Sequence, residues 1–193
     1  FTRREPIGVV VAIVPWNAQM FLTATKLGPA LAAGCSVVLK ASEVAPAPML
    51  EFARLIAAAG FPPGVVSVIP GDAENCAIPL TRHKDVDRIA FTGGPDTARH
   101  VVRNSAESFA VTSLELGGKS PILVFDDADL DGAANGLIAG NVGASGQSCV
   151  AGSRGMVHRQ ILEDLIARIT EKTKGIVVGD PLDKATHVGP LCT

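Results

Sequence analysis

The chain has 193 residues, of which 47% are hydrophobic and 19% are charged, and its formal net charge is −2. This length and apolar content can form a sizeable core, so the composition excludes an intrinsically disordered chain and a small disulfide-stabilised fold. Seventeen basic residues are balanced by nineteen acidic ones, and no basic stripe is present. The charge pattern therefore argues against nucleic acid or an anionic membrane surface as a partner.

The cysteines, the apolar runs and the ends of the chain give further expectations. The four cysteines lie far apart, and none belongs to a CxxC pair or to a His cluster with metal-ligand spacing. We therefore expect reduced thiols in a cytoplasmic protein and no metal site. No apolar run reaches the ~18 residues of a membrane span, and no signal peptide is visible. The chain opens on Phe1 and stops after Gly-Pro-Leu-Cys-Thr, which predicts a fragment of a longer protein.

Strand-length apolar runs alternate with segments of helical periodicity along the first part of the chain. The predicted elements are, in order, a strand at 7–14, a helix at 21–33, a strand at 36–39, a helix at 47–59, a strand at 65–69, a short helix at 73–80, a strand at 87–92, a helix at 96–106 and a strand at 111–116. This alternation predicts an α/β fold with a Rossmann-like parallel sheet and helices on both faces. In such a sheet, ligands bind beyond the carboxyl ends of the strands.

A second series of elements follows the turn Glu-Leu-Gly-Gly-Lys-Ser-Pro at 115–121. We place the domain boundary in this turn, between a first domain at 1–116 and the start of a second α/β domain at 117–193. The predicted elements of the second series are a strand at 122–125, a helix at 130–140, a strand at 155–158 and a helix at 160–174. The predicted buried face of the last helix consists of Ile161, Leu162, Leu165, Ile166 and Ile169.

Three residues are candidates for catalysis because they follow predicted strands or lie in a Gly-rich loop. Cys149 ends the loop Gly-Ala-Ser-Gly-Gln-Ser-Cys, where a thiolate would be a nucleophile, although a free cysteine also packs as a small hydrophobe. Glu115 lies near the end of an apolar strand, so we expect partial desolvation that suits a general base; a solvated acid is the alternative. The amide of Asn17 suits an oxyanion, or caps the following helix.

Two further segments have the features of a nucleotide site. Lys40 and Glu43 follow the strand at 36–39, where a carboxylate can accept the hydroxyls of an adenosine ribose and repel a 2′-phosphate. A salt pair at the mouth of a loop is the alternative. Phe-Thr-Gly-Gly-Pro at 91–95 leads from a strand into a helix, whose N-terminus would attract a pyrophosphate. Its spacing is not that of G-x-G-x-x-G, and an ordinary strand-to-helix turn would use the same residues.

Taken in order, these segments resemble the aldehyde dehydrogenase superfamily over essentially the whole chain. The matching motifs are Pro15-Trp16-Asn17, Lys40-x-x-Glu43, Phe91-Thr92-Gly93, Glu115-Leu116-Gly117-Gly118-Lys119 and Gly146-Gln147-Ser148-Cys149. The resemblance implies an NAD-dependent oxidoreductase that converts an aldehyde to the carboxylic acid through a thiohemiacetal and a thioester. A CoA-acylating semialdehyde dehydrogenase is an alternative, but those relatives generally lack a glutamate at the position of Glu115. A second alternative is a catalytically silent dinucleotide-binding homologue.

The resemblance also implies a role for each matching residue. Cys149 matches the nucleophile, Glu115 the base that activates water, Asn17 the oxyanion donor, and Lys26 a lysine assigned to proton transfer. The residues that match cofactor-binding positions are Trp16, Lys40, Glu43, Gly93 and Gly94, with NAD preferred to NADP. Residues 1–116 would then form most of the dinucleotide-binding domain, and 117–193 the N-terminal part of the catalytic domain. The full-length enzyme would be a homodimer or homotetramer.

Overall fold

The computed structural model describes all 193 residues, which divide into unit 1 (Phe1–Leu116) and unit 2 (Gly117–Thr193). Unit 1 is built on a five-stranded sheet of order β3-β2-β1-β4-β5, in which every pairing is parallel. Its strands are β1 (Val9–Ile13), β2 (Ser36–Ala41), β3 (Val66–Pro70), β4 (Arg88–Gly93) and β5 (Val111–Leu116). Its helices are α1 (Gln19–Ala32), α2 (Ala47–Ala58), α3 (Ile78–Arg82) and α4 (Pro95–Ser105), with a π-helical turn at Ala73–Ala77 before α3.

The sheet of unit 1 is covered by helices on both faces, as the sequence predicts. Successive residues of a strand point to opposite faces, and the successive residues Val10 and Val11 belong to two different cores. Val10 packs in the cluster that contains Met49 of α2, whereas Val11 packs in the cluster that contains Val101 of α4. A strand that is buried on both faces requires an uninterrupted apolar run, which is why β1 shows no polar alternation.

Unit 2 contains a smaller two-stranded parallel sheet with two main helices. Its elements are β6 (Pro121–Val124), α5 (Leu130–Val142), β7 (Arg154–Val157) and α6 (Leu162–Thr173), with 3₁₀ turns at Gly143–Gly146 and Arg159–Ile161. Its core is formed by Val124, Ala134 and Leu165, all of them buried. This is an α/β arrangement, as the sequence predicts for this part of the chain.

The last helix differs from the prediction in its start and in its buried face. The helix expected at 160–174 begins at Leu162, because the His158 side chain accepts the backbone N–H of Gln160 and a 3₁₀ turn precedes α6. Leu165 is buried, but Ile166 remains 48% exposed. One residue along a helix turns a side chain by about 100°, so the step from Leu165 to Ile166 leaves the core.

None of the helices has the length and apolar character of a membrane span. The longest, α1, has 14 residues, well short of the ~20 that a bilayer requires.

Gly8 lies where β1 meets the loop before β4, and it has no room for a side chain. Its φ is +120°, and a Cβ there would lie 2.1 Å from Oδ2 of Asp87. The same carboxylate oxygen accepts the backbone N–H of Val9 at 2.8 Å. Any larger residue would therefore strain the backbone and displace the side chain that anchors the start of β1.

We expect Gly8→Ala to lower the free energy of unfolding by about 2–3 kcal/mol, from the strained φ and the lost hydrogen bond together. Gly60 is the matched control: its φ is +86°, but a Cβ there meets nothing within 4 Å. Gly60→Ala should therefore show only the backbone strain. Urea denaturation followed by circular dichroism measures both variants, and equal losses would contradict the role assigned to Asp87.

Candidate active site

The carboxyl ends of the parallel strands bring most of the predicted site residues to one edge of unit 1. Parallel strands run in the same direction, so all of their carboxyl ends lie at the same edge of the sheet. The residues at this edge are Trp16 and Asn17 after β1, Lys40 and Glu43 at and after the end of β2, Gly93 and Gly94 at the end of β4, and Glu115 in β5. From β1 the successive strands β2 and β3 are added on one side, and β4 and β5 are added on the other. The point between β1 and β4 is therefore the topological switch point, where open α/β sheets bind ligands.

Asn17 is not the cap of α1, so the structural alternative for this residue is wrong. The N-cap of α1 is Ala18, which has left-handed backbone angles (φ 47°, ψ 32°) and makes no side-chain cap bond. A left-handed alanine costs about 1–2 kcal/mol. This turn holds Trp16 and Asn17 half-buried at the end of β1.

Gln19, the first residue of α1, is a buried polar group that the sequence analysis does not single out. Its side-chain Nε2 donates to the carbonyl of Trp16 at 2.9 Å and to the carbonyl of Ala45 at 2.8 Å. The signal for its burial is the spacing of Gln19, Thr23 and Leu27, which are the buried residues of α1. The helix predicted at 21–33 starts two residues after the observed one and so leaves Gln19 outside it.

Lys40 and Glu43 form an ion pair in which only the acid is exposed. Lys40 Nζ donates to Glu43 Oε2 at 2.7 Å, and the relative exposures of the two side chains are 7% and 54%. The hydrogen bond from Lys40 lowers the pKa of Glu43 below its ordinary range, more than burial raises it. Glu43 is therefore held as a carboxylate at the edge of the sheet, where it can accept hydrogen bonds.

Asp72 places a second carboxylate next to this pair. It follows β3 by two residues, as Glu43 follows β2, and the ends of these strands pair at Ala41 and Pro70. Asp72 accepts the backbone N–H and the side-chain amide of Asn75 at 2.7 and 2.9 Å, and these bonds lower its pKa. The edge near β2 and β3 therefore carries an excess of negative charge.

The turn from β4 into α4 leaves space beside the start of the helix. Gly94 is the N-cap of α4 and Pro95 follows it inside the helix, and a Cβ on Gly94 would meet nothing within 4 Å. A Cβ on Gly93 would lie 2.6 Å from Cζ of Phe91, so glycine is required there. The first N–H groups of a helix lack partners within it and attract anions. This turn can accept a phosphate group.

Lys26 of α1 and Glu115 of β5 lie within electrostatic reach of each other. Burial lowers the pKa of Lys26, and the charge of Glu115 opposes that change. Glu115 itself is exposed, so the partial desolvation expected from the sequence is absent here. The charge of Glu115 is therefore felt at the amine of Lys26.

Cys149 lies in unit 2, after a loop with unusual backbone angles. Ala144, Ser145 and Gly146 have successive positive φ values of 54°, 55° and 72°. Positive φ is costly for residues other than glycine, and such strain concentrates at functional sites. The loop is anchored by the Ser145 hydroxyl, which donates to the carbonyl of Gly189 at 3.2 Å. Cys149 is half-buried and is a free thiol.

The remaining cysteines and histidines belong to no cluster that could hold a metal ion. All four cysteines are free thiols. No group of three His, Cys, Asp or Glu side chains is arranged to hold a metal ion.

The chain is similar to known proteins over its whole length. The profile of the Aldehyde dehydrogenase family matches residues 1–193. The (Z)-2-((N-methylformamido)methylene)-5-hydroxybutyrolactone dehydrogenase of Acinetobacter baylyi is 60% identical over 190 residues, which are 98% of this chain and 39% of that protein. The chloroplastic betaine aldehyde dehydrogenase of Beta vulgaris is 42% identical over 188 residues, which are 97% of this chain and 38% of that protein.

The similarity extends to solved structures. The betaine aldehyde dehydrogenase of Staphylococcus aureus in complex with NAD⁺ superimposes on this chain with a TM-score of 0.93 at 38% identity. The match covers 98% of this chain and 38% of that one. The chain therefore spans somewhat more than a third of the length of the relatives that it matches.

We expect the Lys40–Glu43 pair to make stability depend on pH. The folded-state pKa of Glu43 is lowered, so its contribution is present above the unfolded pKa and is lost as the pH falls through the folded value. Glu43→Gln keeps the hydrogen bond but removes the charge, and should cost about 1 kcal/mol or less at pH 7 because solvent screens the exposed carboxylate. The difference from the unchanged protein should vanish in acid.

Urea denaturation at pH 7 and at acid pH measures this effect. Glu51→Gln is the matched control, since Glu51 also pairs with a residue three positions on, Arg54, but both side chains are exposed. It should change stability less than Glu43→Gln at pH 7. An effect of Glu43→Gln that is the same at both pH values would contradict the assignment.

Proposed function

The chain belongs to the aldehyde dehydrogenase family, and from this membership we propose that the full-length protein oxidises an aldehyde to the carboxylic acid with NAD. The observation that supports this best is the strained loop that ends at Cys149, because it presents a free, half-buried thiol after three successive positive φ angles. In this proposal unit 1 is most of the dinucleotide-binding domain, and unit 2 is the N-terminal part of the catalytic domain.

The carboxyl edge of unit 1 fits a dinucleotide. Glu43, held ionised by Lys40, would accept the hydroxyls of the adenosine ribose. The open start of α4 at Gly94 would hold the pyrophosphate, and Trp16 and Gly93 would line the cofactor. When bound, NAD accepts the hydride of the aldehyde. These assignments follow the general rule that pyrophosphates bind at helix N-termini and ribose hydroxyls bind to an acid beyond a strand.

The acids at this edge favour NAD over NADP. A 2′-phosphate placed against Glu43 would bring like charges together, at a cost on the order of a few kcal/mol for an effective dielectric constant near 20. Asp72 adds to this negative potential, since its charge is already felt by Glu43. The one cation of the group, Lys40, is engaged by Glu43 at 2.7 Å.

The chemistry of the aldehyde begins at Cys149. The thiolate adds to the carbonyl carbon, and the electron pair of the C=O bond moves to oxygen. The side-chain amide of Asn17 is a neutral donor that would stabilise this oxyanion. Loss of hydride then leaves a thioester on Cys149, so that one difficult oxidation is divided into two easier steps.

Glu115 completes the reaction by hydrolysis. Its carboxylate would remove a proton from water, whose oxygen attacks the thioester carbon and expels the Cys149 thiolate as the carboxylic acid forms. Lys26 would help to pass that proton on, since the charge of Glu115 already acts on its amine and raises its pKa against the effect of burial. A base that activates water destroys a thioester, so Glu115 favours hydrolysis over acyl transfer to coenzyme A.

The proposal extends to the setting of the enzyme. Four free cysteines, one of them the nucleophile, suit a reducing compartment, and we place the full-length enzyme in the cytoplasm as a homodimer or homotetramer. Its small-molecule partner would be an aldehyde, with neither nucleic acid nor membrane involved.

We predict that Cys149→Ser in the full-length enzyme removes turnover by at least about 10³-fold while NAD still binds. A serine hydroxyl is a far weaker nucleophile than a thiol near neutral pH. NADH production gives the rate, and isothermal titration gives NAD binding. Cys192→Ser is the control, because Cys192 is free and exposed and has no role in the mechanism. Near-normal NADH production by Cys149→Ser would refute the assignment.

We predict that Glu115→Gln slows deacylation and spares thioester formation. Glutamine keeps the size of the side chain but cannot take a proton, and loss of a general base typically costs ~10²–10⁴-fold in the affected step. Mixing this variant with aldehyde and NAD should give a burst of NADH close to one equivalent per site, and mass spectrometry should find an acyl group on the Cys149 peptide.

The matched control for this burst is Glu107→Gln, which removes another exposed acid of unit 1. It should turn over without a burst. Unchanged steady-state turnover by Glu115→Gln would remove Glu115 from the mechanism. If the unaltered enzyme turned over only with added coenzyme A, the acylating alternative would replace hydrolysis.

A further inference from the structure

The carboxamide of Gln19 connects the two loops that carry Asn17 and Glu43. The hydrogen-bond ladder between β1 and β2 ends with the Val14 N–H donating to the Lys40 carbonyl at 3.2 Å. Beyond that bond, the segment after β1 enters the loop before α1, and the segment after β2 enters the loop before α2. Gln19 spans the gap, since its Nε2 donates to the Trp16 carbonyl in one loop and to the Ala45 carbonyl in the other.

The chemistry of the partners determines how this carboxamide must be oriented. Both partners are carbonyl oxygens, which only accept hydrogen bonds, so the NH₂ group has to face them and the amide cannot be flipped. Both amide protons are used, at 2.9 and 2.8 Å. Gln19 has a relative exposure of only 7%, and its side-chain oxygen is buried without a hydrogen-bond partner. The carboxamide of Gln19 therefore contributes to the structure through its two donated hydrogen bonds.

The two carbonyls belong to residues next to the proposed site. Trp16 directly precedes Asn17, and Ala45 lies two residues after Glu43. The turn at Ala18 is left-handed and has no side-chain cap of its own, so it depends on neighbouring contacts to keep its shape. A donor that bonds to both loops fixes their separation.

We propose that Gln19 is a positioning residue that sets the loop of Asn17 and the loop of Glu43 relative to each other. This rests on the proposed function: a cofactor held through Glu43 would then be aligned with the oxyanion donor at the end of β1. Gln19 does not touch substrate or cofactor in this account. It acts through the backbone of Trp16 and Ala45.

The test compares Gln19→Leu with Thr23→Val in the full-length enzyme. Leucine fills a similar volume but donates to neither carbonyl. Thr23 is the matched control because it is buried one turn further along α1 and its hydroxyl bonds to the Met49 sulfur, away from both loops. We expect Gln19→Leu to raise the Kd for NAD about tenfold or more, to lower kcat and to narrow the preference for NAD over NADP. Thr23→Val should lower the melting temperature without changing Kd or the preference.

A double-mutant cycle separates positioning from general stability. If Gln19 acts on the cofactor through the loop of Glu43, then Gln19→Leu should have little further effect on the NAD/NADP preference once Glu43 is already glutamine. Additive effects of the two substitutions on that preference would overturn the inference. So would a Gln19→Leu enzyme with the Kd, kcat and preference of the unaltered protein.

Gln19→Glu provides a second variant in case leucine prevents folding. It keeps the shape, but an ionised carboxylate repels both carbonyls, whereas the protonated acid can donate to one of them. Its Kd for NAD relative to that of the unaltered protein should therefore rise with pH, and a constant ratio would overturn the inference. An unaltered enzyme that fails to bind NAD would refute the proposed function and this inference together. If the unaltered enzyme binds NAD and turns over normally, and substitution of Gln19 changes none of these properties, the inference alone is refuted and the proposed function stands.

Discussion

The register of β1 with its two neighbours is the constraint on which the rest of unit 1 depends. Ile13 is paired with Lys40 on one side and with Phe91 on the other, so the ends of β2 and β4 lie level with the end of β1. A slip of one residue would turn the side chains of β1 toward the opposite helical layers. Because the strand is apolar on both faces, tight packing against α2 and α4 fixes the register rather than alternation of polarity.

The level strand ends create two electrostatically different halves of one edge. Near β2 and β3 the edge carries Glu43 and Asp72 around the single cation Lys40. Near β4 it presents the positive end of the α4 dipole at Gly94. A dinucleotide has hydrogen-bond donors on its ribose and negative charge on its pyrophosphate, so the two halves would orient it in one direction. Neither half needs a large net charge to do so.

The sequence predicts the fold of this chain well because its periodicities are strong and its strands are buried. Each predicted strand is present within about two residues of its expected bounds, and β5 begins and ends where expected. The errors lie in the ends and the exposed faces of helices. The short helix expected at 73–80 divides into a π-helical turn capped by Asp72 and α3, which begins at Ile78 with a proline in its first turn. Ile166 is exposed although its helix is amphipathic.

Some features of the candidate site can likewise be predicted from the sequence, and others cannot. The positions of polar residues at and after strand ends make Asn17, Lys40, Glu43 and Glu115 candidates, and the resemblance to a family selects their catalytic or binding roles from the structural alternatives. Sequence cannot show that Glu115 is exposed, because burial depends on what packs against β5. It also cannot show that Gln19 bridges two loops, since the Ala45 carbonyl lies 26 residues away along the chain.

The positive φ values at Ala144 and Ser145 limit which mutations this loop can accumulate. Surface loops usually vary freely, and Ala144 is exposed, yet a valine, isoleucine or threonine there would clash with its own backbone in the left-handed region. Glycine or asparagine would relax the loop instead. Sequence drift at these two positions should therefore be confined to small or unbranched residues. The loop before the thiol would thus change more slowly than its exposure suggests, for reasons of backbone sterics and not of contact with any ligand.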